Sequence, residues 1–156
     1  NQNIWDKYRN VLGIWMYQIL NNQQPTIFGD GEQIRAFSYV DDSIIPFWNA
    51  SQRNTCINQT INLGGIQKHT INEACKMLIK VTGTDLKPKY LEGRHEAKHA
   101  WSTWEKSVEL LDFKHSIDLK EGLTRMWEWA QTQPNRERFV WSEYELEKGI
   151  YEFWKK

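Results

Sequence analysis

Pro25-Thr26-Ile27-Phe28-Gly29-Asp30-Gly31-Glu32-Gln33-Ile34-Arg35-Ala36-Phe37-Ser38-Tyr39-Val40-Asp41-Asp42 places a strand, a turn, a second strand and a helix start in one run. Thr26-Ile27-Phe28 reads as a short strand and Gly29 to Glu32 as a turn. Arg35 to Val40 alternates apolar and polar residues, the period of a strand. Asp41 or Asp42 then caps a helix carrying Ile44, Ile45, Phe47 and Trp48. Upstream, residues 8 to about 22 predict a helix, because Tyr8, Val11, Leu12, Trp15, Ile19 and Leu20 share helical spacing. Asn21, Asn22 and Pro25 stop it.

Downstream, Thr60-Ile61-Asn62-Leu63 reads as a strand closed by Gly64-Gly65. Thr70 with Glu73 forms a capping box for a helix running to Gly83. Lys87 to Leu91 is extended. Ser102 with Glu105, and Asp118 with Glu121, make two further capping boxes, for helices reaching about Asp112 and Ala130. The tail from Asn135 to Lys156, rich in aromatics and charge, reads as partly helical. Short strands alternating with helices predict an α/β or α+β architecture.

The 156 residues, 40% hydrophobic and 26% charged, fit one soluble domain spanning 1–156 with one core. Twenty basic and twenty acidic residues cancel. A zero net charge lacks the electrostatic footprint of a nucleic-acid binder or a polybasic membrane surface. No run approaches the ~20 apolar residues of a membrane span. No signal peptide is visible, and a first residue other than Met reads as a trimmed or internal start. Two cysteines, Cys56 and Cys75, fit a reducing compartment, and a cytoplasmic location is expected. Asn49-Ala50-Ser51 and Asn58-Gln59-Thr60 are sequons short enough to arise by chance.

Nine tryptophans admit two readings. They serve packing, or they form the stacking surface of a stand-alone carbohydrate- or protein-binding module. His95-Glu96-Ala97-Lys98-His99 matches H-E-x-x-H, which on a helix sets two imidazoles on one face for zinc and leaves the Glu as general base. Glu121 is then the candidate third ligand. Against this zinc-peptidase reading, the Ser102/Glu105 box starts a helix after His99, and Glu121 is explained by the Asp118 cap. Tyr144-x-x-x-Lys148 and Tyr151-x-x-x-Lys155 match Y-x-x-x-K but lie at the end of the chain, where i,i+4 neighbours on a solvated helix explain them. There is no P-loop, no G-x-S-x-G elbow and no credible Cys/His pair.

The Pro25–Asp42 run resembles a segment of the extended short-chain dehydrogenases, P-x-x-(I/V)-(Y/F)-G-D-G-x-Q-x-R-(D/A)-(F/Y)-x-(Y/H)-V-x-D. These are the NAD-dependent nucleotide-sugar epimerases and dehydratases, UDP-glucose 4-epimerase among them. The resemblance continues in order. Thr60 to Gly65 is similar to the family's x-N-(L/I)-G strand, Thr70 to Glu73 to its next helix start, and Arg94 to Ala97 to R-x-G-(E/D)-V. Glu109 to Phe113 resembles ELLGF, Asp118 to Leu123 resembles SLEEGL, and Asn1-Gln2-Asn3 resembles the residues just past Y-G-P-x-Q. The match runs to about Gln133.

The resemblance implies an α/β chain corresponding to the family's C-terminal, substrate-binding portion, without most of the Rossmann sheet. The Gly-rich NAD turn, the catalytic Ser/Thr and the family's Y-x-x-x-K lie upstream of the matched region. The chain is therefore expected to hold no catalytic residue and no metal, and to bind NAD weakly if at all, NAD belonging to the complete enzyme. In that enzyme NAD oxidises a sugar hydroxyl, and hydride return to the opposite face inverts the carbon. The implied role here is to grip a nucleotide sugar, most like a UDP-sugar. Arg35 and Arg94 match phosphate-contacting arginines. Glu96 matches the acceptor of ribose hydroxyls. Asn10 and Val11 match a helix start facing phosphate, and the main chain of Thr26 and Phe28 matches the lining of the base. Ala36 stands where Asp is commoner, and Arg94-His95-Glu96 is one residue shorter than the family pattern. The Thr60–Leu63 strand belongs to the large sheet of the parent fold, so the chain is expected to pair with a separate N-terminal Rossmann half or with itself.

Overall fold

The structure is a computed structural model that describes residues 2–138. Its first helix, α1 (Val11–Leu20), buries Trp15, Met16 and Ile19 on one side. α1 starts later than the spacing predicts because Asn10 sits in the left-handed region at φ 68° and breaks the helical path. The helix is tied to β1 (Thr26–Phe28) by side chains: Trp15 Nε1 donates to the Thr26 carbonyl at 2.7 Å. Gln18 is 5% exposed, yet its amide is satisfied by Thr26, accepting from Thr26 N and donating to Oγ1, both at 3.1 Å. A buried amide left unpaired costs more than the bond itself returns, so this clamp fixes where the chain re-enters.

The quoted run keeps its order of strand, turn, strand and helix, but the strand expected over Arg35 to Val40 is shorter and earlier, because only Ile34–Ala36 finds partners, on Lys68–Thr70 and His99–Ala100. β2 is Ile34–Ala36, and α2 (Val40–Gln52) begins at Val40 with Tyr39 as its N-cap. Asp41 and Asp42 therefore sit in the first turn, where negative charge suits the helix dipole. The Asp42 carboxylate caps another segment, accepting from Ser116 N and Ile117 N, both at 3.0 Å.

β3 (Lys68–Thr70) leads into α3 (Ile71–Thr82), and both halves of the Thr70/Glu73 capping box form. Gly83, at φ 67°, ends α3 as expected. β4 (Lys89–Leu91) pairs parallel with β1, and β5 (His99–Ala100) pairs parallel with β2. β3 pairs antiparallel with β2 on its other edge, Arg35 opposite His69. Two small sheets result, β1-β4 and β3-β2-β5.

Two helices follow, α4 (Glu105–Leu111) and α5 (Leu119–Gln131). The N-cap of α4 is Trp104, so the expected Ser102 cap is not used; the Glu105 carboxylate instead accepts from Trp104 N at 3.0 Å. Asp118 caps α5 by accepting from Glu121 N at 2.8 Å. The Glu121 carboxylate turns to Arg125 Nε at 2.8 Å, so only half of that box closes.

Thr60–Leu63 forms no strand, because no described residue offers it a ladder. One core unites α1, α3, α5 and β1 through Trp15, Met16, Ile27, Ala74, Cys75, Leu78 and Leu123. α2 packs on α4 apart from this core, held by Asn49 Nδ2 to the Leu111 carbonyl at 2.9 Å, and by Arg53, which donates to the Leu110 carbonyl and pairs with Asp112. The outer stripe of α2 is bare: Val40, Ile44, Ile45, Phe47 and Trp48 are 54–67% exposed. No helix among the described residues is long and apolar enough to cross a membrane. The Y-x-x-x-K pairs and the tail beyond residue 138 lie outside the described residues.

Candidate functional site

Arg35 sits at the centre of β2, with Gln33 just before the strand and Phe37 just after it. They meet β1 and the loop after β4 in a cleft of about 270 Å³ lined by Val11, Thr26, Ile27, Phe28, Gln33, Arg35, Ala36, Phe37, Ile71, Arg94 and Glu96. Six residues singled out from the sequence are thus brought together: Arg35, Arg94, Glu96, Val11, Thr26 and Phe28. Asn10 is not among the lining residues; it is the exposed residue before α1, and its carbonyl accepts from Ile14 N at 3.0 Å.

The electrostatics centre on one carboxylate between two guanidiniums. Glu96 Oε2 lies 3.3 Å from Arg35 Nη2 and 3.7 Å from Arg94 Nη2. The three side chains are 23–28% exposed, so water only partly screens them. The trio carries one surplus positive charge. Arg35 is aimed by its own strand, donating from Nη1 to the Ile34 carbonyl at 2.8 Å. Arg94 stacks with its guanidinium carbon 3.9 Å from the centre of the Phe28 ring. Such stacking contributes about 0.5–2 kcal/mol and holds the fork flat.

Two main-chain acceptors expected to face a base already have partners. The Thr26 carbonyl accepts from Trp15 and the Phe28 carbonyl from Gln33 Nε2, both at 2.7 Å. Gln33 itself was given no role on sequence grounds. It is 9% exposed, and its Oε1 is buried without a hydrogen-bond partner, while Nε2 also reaches Glu96 Oε1 at 3.3 Å. Its signal was the two-residue offset from Arg35 on a strand.

The H-E-x-x-H pattern does not build a metal site. His99 lies in β5 rather than on a helix with His95, and Glu96 is committed to the two arginines. Among the described residues no group of three or more His, Cys, Asp and Glu could hold a metal ion. The described tryptophans divide: Trp15 is fully buried and Trp5 meets Trp129 edge to face at 6.5 Å and 73°, while Trp48 and Trp101 are exposed. Two larger hollows lack this chemistry. One, of about 480 Å³, is walled mainly by Leu12, Phe37, Ile117, Leu123 and Met126, and the other, of about 730 Å³, is rimmed by lysines over Met77 and Val81.

No family model matches the chain. The putative UDP-glucose 4-epimerase of Methanocaldococcus jannaschii is 33% identical over 78% of this chain and 39% of its own length. The UDP-glucuronic acid 4-epimerase of Bacillus cereus, solved with UDP-glucuronic acid and NAD, superposes with a TM-score of 0.73 at 29% identity, covering 78% of this chain and 40% of that one. The UDP-glucose 4-epimerase of Thermotoga maritima, solved with UDP-glucose, gives a TM-score of 0.74 at 29% identity over 81% of this chain and 41% of that one. The chain spans about two-fifths of the length of these proteins. In sequence and in fold it is the counterpart of the C-terminal portion of the extended short-chain dehydrogenases, the family of UDP-sugar epimerases and NAD-dependent epimerase/dehydratases.

Proposed function

We propose that this chain is the nucleotide-sugar-binding part of an NAD-dependent sugar epimerase or dehydratase, acting as one domain and not catalytic by itself. The observation that carries the reading is the single cleft that gathers Arg35, Arg94, Glu96, Gln33 and Phe28. Two guanidinium forks suit a diphosphate, which needs planar bidentate donors. Glu96 offers a carboxylate acceptor for ribose hydroxyls. The main chain of Thr26 and Phe28 is the proposed lining for the base, and Val11 brings the start of α1 to the edge of the cleft. UDP is the nucleotide that fits the named relatives, two of which were solved with a UDP-sugar.

Among the described residues, the Gly29-Asp30-Gly31 turn does not fit the pyrophosphate of NAD. Gly29-Asp30-Gly31 joins strands of two different sheets and opens no helix, and the space beside Gly31 is taken by the Asn72 side chain. A pyrophosphate has no cradle there. We assign NAD, and with it the redox chemistry, to the rest of the family's fold. That remainder, or a second copy of this chain, covers the bare stripe of α2.

Calorimetric titration with UDP tests the reading. Saturable binding to the wild-type chain that weakens at least about tenfold in Arg94→Ala supports it, the loss expected when a charge-assisted bond goes. Binding that ignores both Arg94→Ala and Arg35→Ala puts the nucleotide elsewhere and overturns the assignment.

A further inference from the structure

We propose that Asn72 is a positioning residue for the cleft, a latch by which α3 sets the turn that aims Gln33 and Arg35; this role rests on the nucleotide reading above. Asn72 touches none of the cleft-lining polar groups. Its Nδ2 donates to the Asp30 carbonyl at 2.9 Å and to Glu32 Oε1 at 2.6 Å. Its Oδ1 accepts from the Tyr90 hydroxyl at 2.9 Å, and its backbone N–H donates to the Gly31 carbonyl at 3.0 Å. The neighbouring Ile71 N–H donates to the Gln33 carbonyl at 3.0 Å. One amide side chain thus holds the turn from both ends and is itself held from β4.

The fit is close. Gly31 is buried at φ 76°, and a Cβ there would come 2.1 Å from Asn72 Oδ1. The turn and the latch therefore occupy one space, and Gly31 admits no side chain. Immediately after the turn come Gln33, with its orphaned acceptor, and Arg35, so a shift in the turn is passed directly into the cleft. The donor arrangement also makes the identity of residue 72 strict. An aspartate has the same shape but cannot donate, and it would set a carboxylate against the Glu32 carboxylate and the Asp30 carbonyl.

Three variants and two readouts separate this role from plain stability. Asn72→Asp is expected to weaken UDP binding about tenfold, the loss of a charge-assisted bond plus a new repulsion, while the thermal midpoint changes little beside that of a core variant such as Leu78→Ala. In Glu32→Gln/Asn72→Asp the amide and the carboxylate trade places, the 32–72 bond re-forms with reversed polarity, and affinity recovers in part. Tyr90→Phe, which removes the outer anchor alone, has the same effect in smaller measure. Hydrogen exchange reads the latch without ligand: the amides of Glu32, Ile34 and Asn72 exchange faster in Asn72→Asp, and those of α1 and α5 do not. If UDP binds the wild-type chain and Asn72→Asp equally while Arg94→Ala loses it, the latch is overturned and the nucleotide reading stands. If no form binds UDP, the nucleotide reading fails, and unchanged exchange at those three amides overturns the latch as well.

Discussion

Arg94 works through shape as well as charge. Its guanidinium lies flat on Phe28 and faces Glu96, so the fork is already oriented when a ligand arrives. Arg94→Lys keeps the charge but loses the stack and the planar pair of donors. It is expected to weaken UDP binding about tenfold with little change in the slope of affinity against salt, whereas Arg94→Ala reduces that slope as well. Titration at two ionic strengths separates the two. Cys75 is legible in a different way. The sequence marks it only as one of two thiols, while the structure buries it in the core, and burial pushes its pKa up from 9.0 to about 12. In the unfolded chain the thiol ionises near 9.0, so the folded state is favoured by the neutral form below that pH. That contribution is lost as pH rises from 9.0 toward about 12. Wild-type and Cys75→Ala chains, compared by urea midpoint, should therefore converge across this window. In the native protein at pH 8 Cys75 should resist thiol reagents that label it in denaturant. Gln33 escaped the sequence for a related reason. Its place in the cleft wall is set by packing, which only the structure reveals.

Among the elements, those defined by their own residues could be read in advance. The Thr70/Glu73 box and the glycine that ends α3 are local chemistry, and both stand as expected. Thr70→Ala should cost about 1 kcal/mol in urea unfolding. Elements defined by a partner were harder to read. Thr60–Leu63 has the alternation of a strand, with Ile61 and Leu63 turned inward, but a strand needs a ladder and none is offered. β3 and β5 are three and two residues long, too short for any period, and exist because β2 lies between them. Ser102 looked like a cap because its spacing to Glu105 is right; the helix nonetheless starts after Trp104, whose N–H Glu105 covers. Gly65 likewise closes no strand. A Cβ there would lie 1.9 Å from the Phe37 carbonyl oxygen and 2.5 Å from its carbonyl carbon, main-chain atoms rather than the end of a flexible side chain. Gly65→Ala should therefore cost about 1–3 kcal/mol, the range of overpacked sites, and it should also disturb the cleft, because Phe37 lines it.

For the whole molecule, the placement of charge and apolar surface points outward from the chain. α2 carries Val40, Ile44, Phe47 and Trp48 at i, i+4, i+7 and i+8, the stripe of a helix meant to be covered. Instead it faces solvent, with Ile57 at 63% exposure beyond its end. Contiguous apolar patches of this kind are uncommon on a stable monomer. The Thr60–Leu63 segment, which has no ladder among the described residues, follows the same helix, and the proposed cover of α2 would explain both features at once. The resemblance led to an expected unpaired edge at Thr60–Leu63; the large exposed side chains of the structure lie on α2 instead. Paired substitution of Phe47→Glu and Trp48→Glu tests the purpose of the stripe. Both side chains are largely exposed, so the fold should change by no more than about 0.5 kcal/mol. If the stripe mates with another copy, the wild-type chain sediments as a dimer or larger and the double variant as a monomer. If it mates with the rest of the family's fold, the wild-type chain alone is sticky and of mixed size, the double variant is monomeric, and only the wild type gains UDP affinity when an NAD-binding portion is supplied in trans. A wild-type chain that is monomeric and compact by light scattering, and indifferent to that portion, would show that the stripe needs no cover.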